Sequence, residues 1–211
     1  PAGSDFDHGT HCAGCAAGTT GNGSGIAGPS NAKLLGSRNL GYTLDAIQWM
    51  TDNGADIISM SWSSGWEGYQ ALEDAIQYAS DAGVVMFAAT GNYANDPGNP
   101  DDVVYPAAYD EVIAVGATNQ NGQVTGFSSF GPAVDVVAPG SQVLSALPTD
   151  GYGRASGTSM ATPSAAGVGA LALTLDPDLG PEGVRDLMTE TATDLGESEA
   201  KQGAGQVDAA A

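Results

Sequence analysis

Alternation constrains this chain more than any other property. Short apolar runs and amphipathic stretches take turns along its middle. The apolar runs are "AKLLGS" (32–37), "ADIISMSW" (55–62), "VVMFAATGN" (84–92), "EVIAVGATN" (111–119) and "AVDVVAPG" (133–140). Continuous apolar runs of this length read as strands buried on both faces. Between them, "TLDAIQWMTDNG" (43–54) carries apolar residues at 44, 46, 47 and 50 and stops at Asn-Gly. "GYQALEDAIQYASDAG" (68–83) carries them at 72, 75, 76 and 79 and stops at Gly. Both patterns predict helices with a glycine stop signal. The sum is one domain over 1–211, an α/β fold of three layers, α/β/α, with a mostly parallel sheet. In such sheets ligands bind beyond the carboxyl ends of the strands. "SWSSG" (61–65) and "ATGN" (89–92) fall there.

Charge excludes several function classes. Five Lys+Arg against 25 Asp+Glu give a net charge of −20. Nucleic acid and anionic membrane surfaces both need basic patches. No run of eighteen apolar residues offers a transmembrane helix. The acidity fits a self-repelling soluble surface, and it fits adaptation to high salt, where screening suppresses carboxylate repulsion. The two cysteines, Cys12 and Cys15, stand three apart. Without a second pair they cannot make a four-cysteine zinc site. On one helix a disulfide between them would be strained, so two buried thiols are expected.

Three motifs carry chemistry. "SDFDHGTHCAG" (4–14) puts His8 at the start of a predicted helix. "GTSMATPSAAGVGALALTL" (157–175) puts Ser159 just before a run of small and apolar residues. Such a run makes a helix buried on nearly all sides. Pro163 is tolerated if it falls in the first helical turn. A serine at that end has a free backbone N–H and the positive end of the helix beside it, which suits a developing oxyanion. It also suits a plain N-cap. In "AATGN", Asn92 ends a buried strand, where its amide can donate to an oxyanion or simply form a turn.

Taken in order, "HGTHCAG", "ISMSWSSG", "FAATGN" and "GTSMATP" resemble the subtilisin-like serine proteases, the subtilase family. The resemblance runs on to "GAGQVDAAA" (203–211). The acidic composition looks most like family members from salt-loving archaea, and a Cys after the second motif His occurs in proteinase-K-like members. The resemblance implies a secreted serine endopeptidase, monomeric when complete, acting on proteins or peptides, with no nucleic-acid or membrane partner. His8 would be the general base and Ser159 the nucleophile. Asn92 and the Ser159 N–H would form the oxyanion hole, and His11 would be structural. Ser61, Trp62 and Ser63 would pair with substrate backbone. Ala89, Thr90 and Gly91 would line the S1 pocket, with Val104 at its floor. Tyr105-Pro106 matches a cis peptide position. Ser63 and Val104 are bulkier than the family's usual residues, which implies a shallow S1. The segment 34–43 lacks the family's Gly-Ser-Gly substrate strand. The resemblance also implies structural calcium, bound by Thr20, Asn22, Ser24 and Ile26 in "TTGNGSGIAG" (19–28), with its carboxylate ligand elsewhere. Against it stands a plain Gly/Asn/Ser turn.

One family element is missing from the pattern. The triad aspartate belongs to an earlier strand, and Asp5 and Asp7 do not match it. The expectation is therefore an N-terminally incomplete domain without the family's first strand and helix. Loss of that aspartate in another serine protease costs about 10⁴ in turnover. The competing reading is an inactive relative that keeps the groove as a peptide-binding module.

Overall fold

The computed structural model describes residues 5–37, 43–94, 103–148 and 151–210, with backbone alone for 5–7. Its elements are α1 (Asp5–Ala17), α2 (Thr43–Asp52), β1 (Ile57–Met60), α3 (Gln70–Asp81), β2 (Val85–Ala89) and β3 (Val112–Thr118). β4 (Val136–Pro139), β5 (Val143–Leu147), β6 (Gly151–Ala155), α4 (Thr158–Leu175), α5 (Gly180–Glu190) and α6 (Glu199–Gln202) follow. Strands β1 to β4 form one sheet in that order, every pair parallel. β5 and β6 form a separate antiparallel hairpin.

Alternation along the sheet builds the layers. Met86 and Ala88 of β2 face one way and join Leu72, Ile76 and Ala79 of α3 with Ile47 of α2. Val85 and Phe87 face the other way and join Ala161, Ala165 and Ala166 of α4 with Val184 and Met188 of α5. Because helices cover both faces, β2 and β3 are buried at every position. The small residues of α4 let it lie close on the sheet. A Cβ on Gly169 would stand 2.7 Å from the Phe87 ring, so the ring occupies the space a side chain would need.

Two expectations need correction. Residues 32–37 form no strand and are exposed, with Leu34 and Leu35 on the surface. No described strand lies beside them, and a strand without a neighbour leaves its backbone groups unpaired. Pro163 is the sixth residue of α4, beyond the first turn. The hairpin β5–β6 and helix α5 were not legible. β6 reads "GYGRA", poor in strand formers, and α5 opens on Gly-Pro, which looks like a break and is in fact a first-turn proline.

Candidate active site

The carboxyl ends of β1 and β2 and the amino ends of α1 and α4 converge. Past β1 the chain runs through Ser61, Trp62 and Ser63 outside any regular element. It is then held by Ser64 N–H to Tyr105 O (2.9 Å) and Tyr105 N–H to Gly65 O (2.8 Å). Tyr105-Pro106 is cis. Ser61 and Trp62 are half-buried and Ser63 is exposed.

Past β2 the chain turns sharply. Gly91 has φ +110°, and a Cβ there would stand 2.9 Å from Ser129 Oγ and 3.0 Å from the Tyr93 ring. Only glycine fits both limits. Ser129 pins the turn from behind: its N–H donates to Gly91 O at 2.9 Å, and Tyr93 N–H donates to its Oγ at 3.1 Å.

That turn delivers Asn92 to the start of α4. Thr158 N–H donates to Asn92 Oδ1 at 2.9 Å, and Thr158 Oγ1 donates to the same oxygen at 3.2 Å. Gly91 N–H donates to Thr158 Oγ1 at 3.3 Å, fixing that hydroxyl as the relay. A side-chain oxygen that takes a first-turn N–H caps the helix from outside. With Oδ1 committed, the amide's N–H₂ points to the opposite side of the side chain.

Ser159 is the second residue of α4, where backbone N–H groups have no helical acceptor. Its Oγ donates to Ser61 O at 3.3 Å. Its own carbonyl accepts from Ser61 Oγ at 2.8 Å and from Cys12 Sγ at 3.3 Å.

His8 lies in the opening turns of α1 and is exposed. Cys12, one turn on, places its sulfur 3.9 Å from both ring nitrogens. Being equidistant, the sulfur packs against the ring and is aligned with neither nitrogen. Cys12 therefore touches both His8 and the Ser159 backbone. Burial pushes its thiol up to about 12, so it stays protonated and can donate. Burial also raises Cys15. Both cysteines are free.

The hairpin anchors α1. His11 is buried, with Nε2 3.1 Å from Gly153 O and Nδ1 3.6 Å from the Cys15 sulfur. Nε2 is thus the donor to the carbonyl and Nδ1 the acceptor from the thiol. Ser145 Oγ donates to His11 O at 2.7 Å. His11 serves packing, while the motif's other histidine, His8, is exposed.

The remaining candidates divide. Ala89, Thr90, Gly91 and Val104 are buried, Thr90 and Val104 completely. Val104 presents no surface to a cleft; its N–H donates to Thr90 O at 3.0 Å. Two aromatics that the motifs did not single out stand at this place. Tyr93 and Trp66 pack with ring centroids 5.2 Å apart, joining the run past β1 to the turn past β2. Each sits one to three residues beyond a recognised motif, and that adjacency was the available signal.

The loop 19–28 is glycine-hinged, with positive φ at Gly21, Gly23 and Gly25. Asn22 Oδ1 accepts Ser24 N–H at 3.0 Å, and Thr20 bonds Asn31. Ile26 turns inward against Gly14 and Gly18. The four candidate residues supply neutral oxygens only. Among the described residues no group of three or more His, Cys, Asp or Glu could hold a metal. A calcium shell of six to eight oxygens normally includes carboxylates, so this donor set does not complete one. Residues 38–42 of the 34–43 segment, and the side chains of Asp5 and Asp7, lie outside what is described.

A serine at a helix start, a histidine whose ring packs on a thiol that also touches that serine's carbonyl, and an asparagine that caps the same helix thus lie together. The Subtilase family profile matches residues 1–206. The chain belongs to the subtilase family. It is 46% identical to "Halolysin-like extracellular serine protease Nep" of Natrialba magadii over 99% of this chain and 39% of that protein. It is 44% identical to thermitase of Thermoactinomyces vulgaris over 78% of this chain and 60% of that protein. Fervidolysin from Fervidobacterium pennivorans, described as "a keratinolytic enzyme related to subtilisin", superposes with a TM-score of 0.85 at 31% identity. That match covers 97% of this chain and 36% of fervidolysin. The subtilase chain thus spans about two fifths of the length of the halolysin-like relative.

Proposed function

We propose that this subtilase segment carries the catalytic site of a secreted serine endopeptidase acting on protein substrates. The observation that carries the reading is the pairing at the start of α4. Asn92 caps Thr158 through Oδ1, which leaves its N–H₂ uncommitted beside Ser159, the residue with both a hydroxyl and a first-turn N–H. Two such donors stabilise charge that develops only as a tetrahedral intermediate forms. His8 takes the Ser159 proton as Oγ leaves Ser61 O and attacks the carbonyl carbon. The oxyanion rests on Asn92 and Ser159 N–H. His8 then protonates the leaving amine, and water releases the acyl group by the same steps. An extended peptide would lie along Ser61–Ser63 as an added strand.

The buried Ala89, Thr90, Gly91 and Val104, with Tyr93 and Trp66 packed together beside them, support a shallow S1. The expected preference is for small P1 residues. A profile of P1-varied peptides that peaks at Phe or Tyr refutes this. The loop 19–28 would lend Thr20, Asn22, Ser24 and Ile26 oxygens to a structural calcium ion completed by a carboxylate the loop does not supply. The net charge of −20 and the likeness to halolysins support function in high salt.

Fluorophosphonate labelling of the full-length protein tests the central reading. Modification at Ser159, lost in His8→Ala, is the expected result. A folded protein that resists the reagent and still binds peptides is a peptide-binding module instead.

A further inference from the structure

We propose that the Ser61 side chain is a positioning residue for the nucleophile. Its hydroxyl replaces the helical donor that Pro163 cannot supply. The inference rests on Ser159 being the nucleophile. In an α-helix the N–H of residue 163 would donate to the carbonyl of residue 159. Pro163 has no N–H, and its ring crowds that same carbonyl. The orphaned acceptor is therefore the carbonyl of the reactive serine itself.

Two donors from other elements replace the missing one. Ser61 Oγ donates to Ser159 O at 2.8 Å, and Cys12 Sγ donates at 3.3 Å. Ser61 belongs to the run past β1 and Cys12 to α1, the helix of His8. The substrate run, the base helix and the nucleophile helix thus meet on one oxygen. Of the two donors the hydroxyl is the shorter and the stronger type, since a thiol donates weakly.

Tying this carbonyl fixes ψ of Ser159, and with it the direction of its Cβ. Ser159 Oγ in turn donates to Ser61 O at 3.3 Å, so the two serines hold each other by a reciprocal pair. When the nucleophile's hydroxyl turns to the base, that bond breaks. The bond from Ser61 Oγ persists and keeps the residue in place through the reaction. A proline inside the nucleophile's helix is in this view a device. It removes a local donor so that the carbonyl is held from across the cleft.

The test is a double-mutant cycle in the full-length protein, read as the rate of fluorophosphonate labelling at Ser159. Ser61→Ala should slow labelling about tenfold, the effect of leaving a half-buried acceptor with only the weak thiol donor of Cys12. With peptide substrates kcat should fall while KM holds, because the backbone of the substrate run is untouched. In a Pro163→Ala background residue 163 regains its N–H, and Ser61→Ala should then cost less than about twofold. Ser61→Thr, which keeps a hydroxyl on the same Cβ, should restore most of the rate in the Pro163 background. That keeps the test decisive if Pro163→Ala does not fold. Equal slowing in both backgrounds, no slowing by Ser61→Ala, or failure of Ser61→Thr to recover the rate overturns the inference while Ser159 remains the nucleophile. If the parent protein is not labelled at Ser159, the protease reading falls and this inference with it.

Discussion

Gly167→Ala should separate α1 and α4, the helices of His8 and Ser159. A Cβ at Gly167 would stand 2.5 Å from Ala16 O and 3.2 Å from two atoms of the Pro29 ring. Ala16 is near the end of α1, and its carbonyl accepts Ser30 Oγ at 3.1 Å, so that hydroxyl holds the oxygen. A relaxed carbon–oxygen contact is about 3.3 Å, so α1 and α4 must part by roughly 0.8 Å. Overpacking of this kind costs ~1–3 kcal/mol, while replacing a helical glycine by alanine returns ~0.5–1 kcal/mol. The net loss of roughly 1–2 kcal/mol should lower Tm by about 2–8 °C in a chain of this size. Activity should fall further than stability, because misplacing a catalytic group by about 1 Å can cost 10²-fold. The assay is kcat/KM per labelled Ser159 beside a thermal melt, with Gly36→Ala, which meets nothing within 4 Å, as control. Full kcat/KM with a lowered Tm would show that α1 yields without moving His8, and an unchanged Tm would show that the helices are not in contact.

Asn92→Asp keeps an oxygen to accept Thr158 N–H and removes the donor. Melting temperature should hold while kcat drops by about 10²–10³, the size seen for loss of one oxyanion donor. A fall in Tm with little change in kcat would make Asn92 a cap only. Asp135 is held above its ordinary range because burial outweighs both the Arg185 guanidinium and the Ala114 N–H. A carboxyl raised in the folded state binds its proton there at a pH where the unfolded chain has lost it. Stability from this group is therefore present at low pH and lost as pH rises through the folded value. Urea melts of the parent against Asp135→Asn should show the parent losing ground as pH rises above the ordinary aspartate value of 3.8; the reverse trend refutes it. With its thiol near 12, Cys12 has only about one thiolate in 10⁴ at pH 8. Iodoacetamide should leave Cys12 intact in the folded protein, and rapid alkylation there would contradict the burial.

Much of this site could be read from residue order. The glycine-stopped helix at 68–83 formed as α3 with Leu72, Ile76 and Ala79 buried, because its apolar period of 3.6 has a sheet to face. His8, Asn92 and Ser159 stand where three motifs put them, at the ends of elements. Less local features were not legible. Residues 32–37 have strand composition and no described strand beside them. The hairpin that anchors His11 and α1 is poor in strand formers, and it forms because β5 and β6 pair with each other.

Sequence by itself determined the α/β layering, the burial of the first turns of α4 and which residues are candidates for chemistry. Those follow from periodicity and from residue chemistry, which are local. Tertiary structure alone decided how the groups are aimed. Asn92 is oriented by Thr158, 66 positions away, and the Ser159 carbonyl by Ser61 and Cys12, 98 and 147 positions away. Pro163, tolerable in a first turn, stands sixth in α4 and leaves that carbonyl without a helical donor. A hydrogen bond between residues so far apart depends on the packing of whole elements, and no window of sequence contains it.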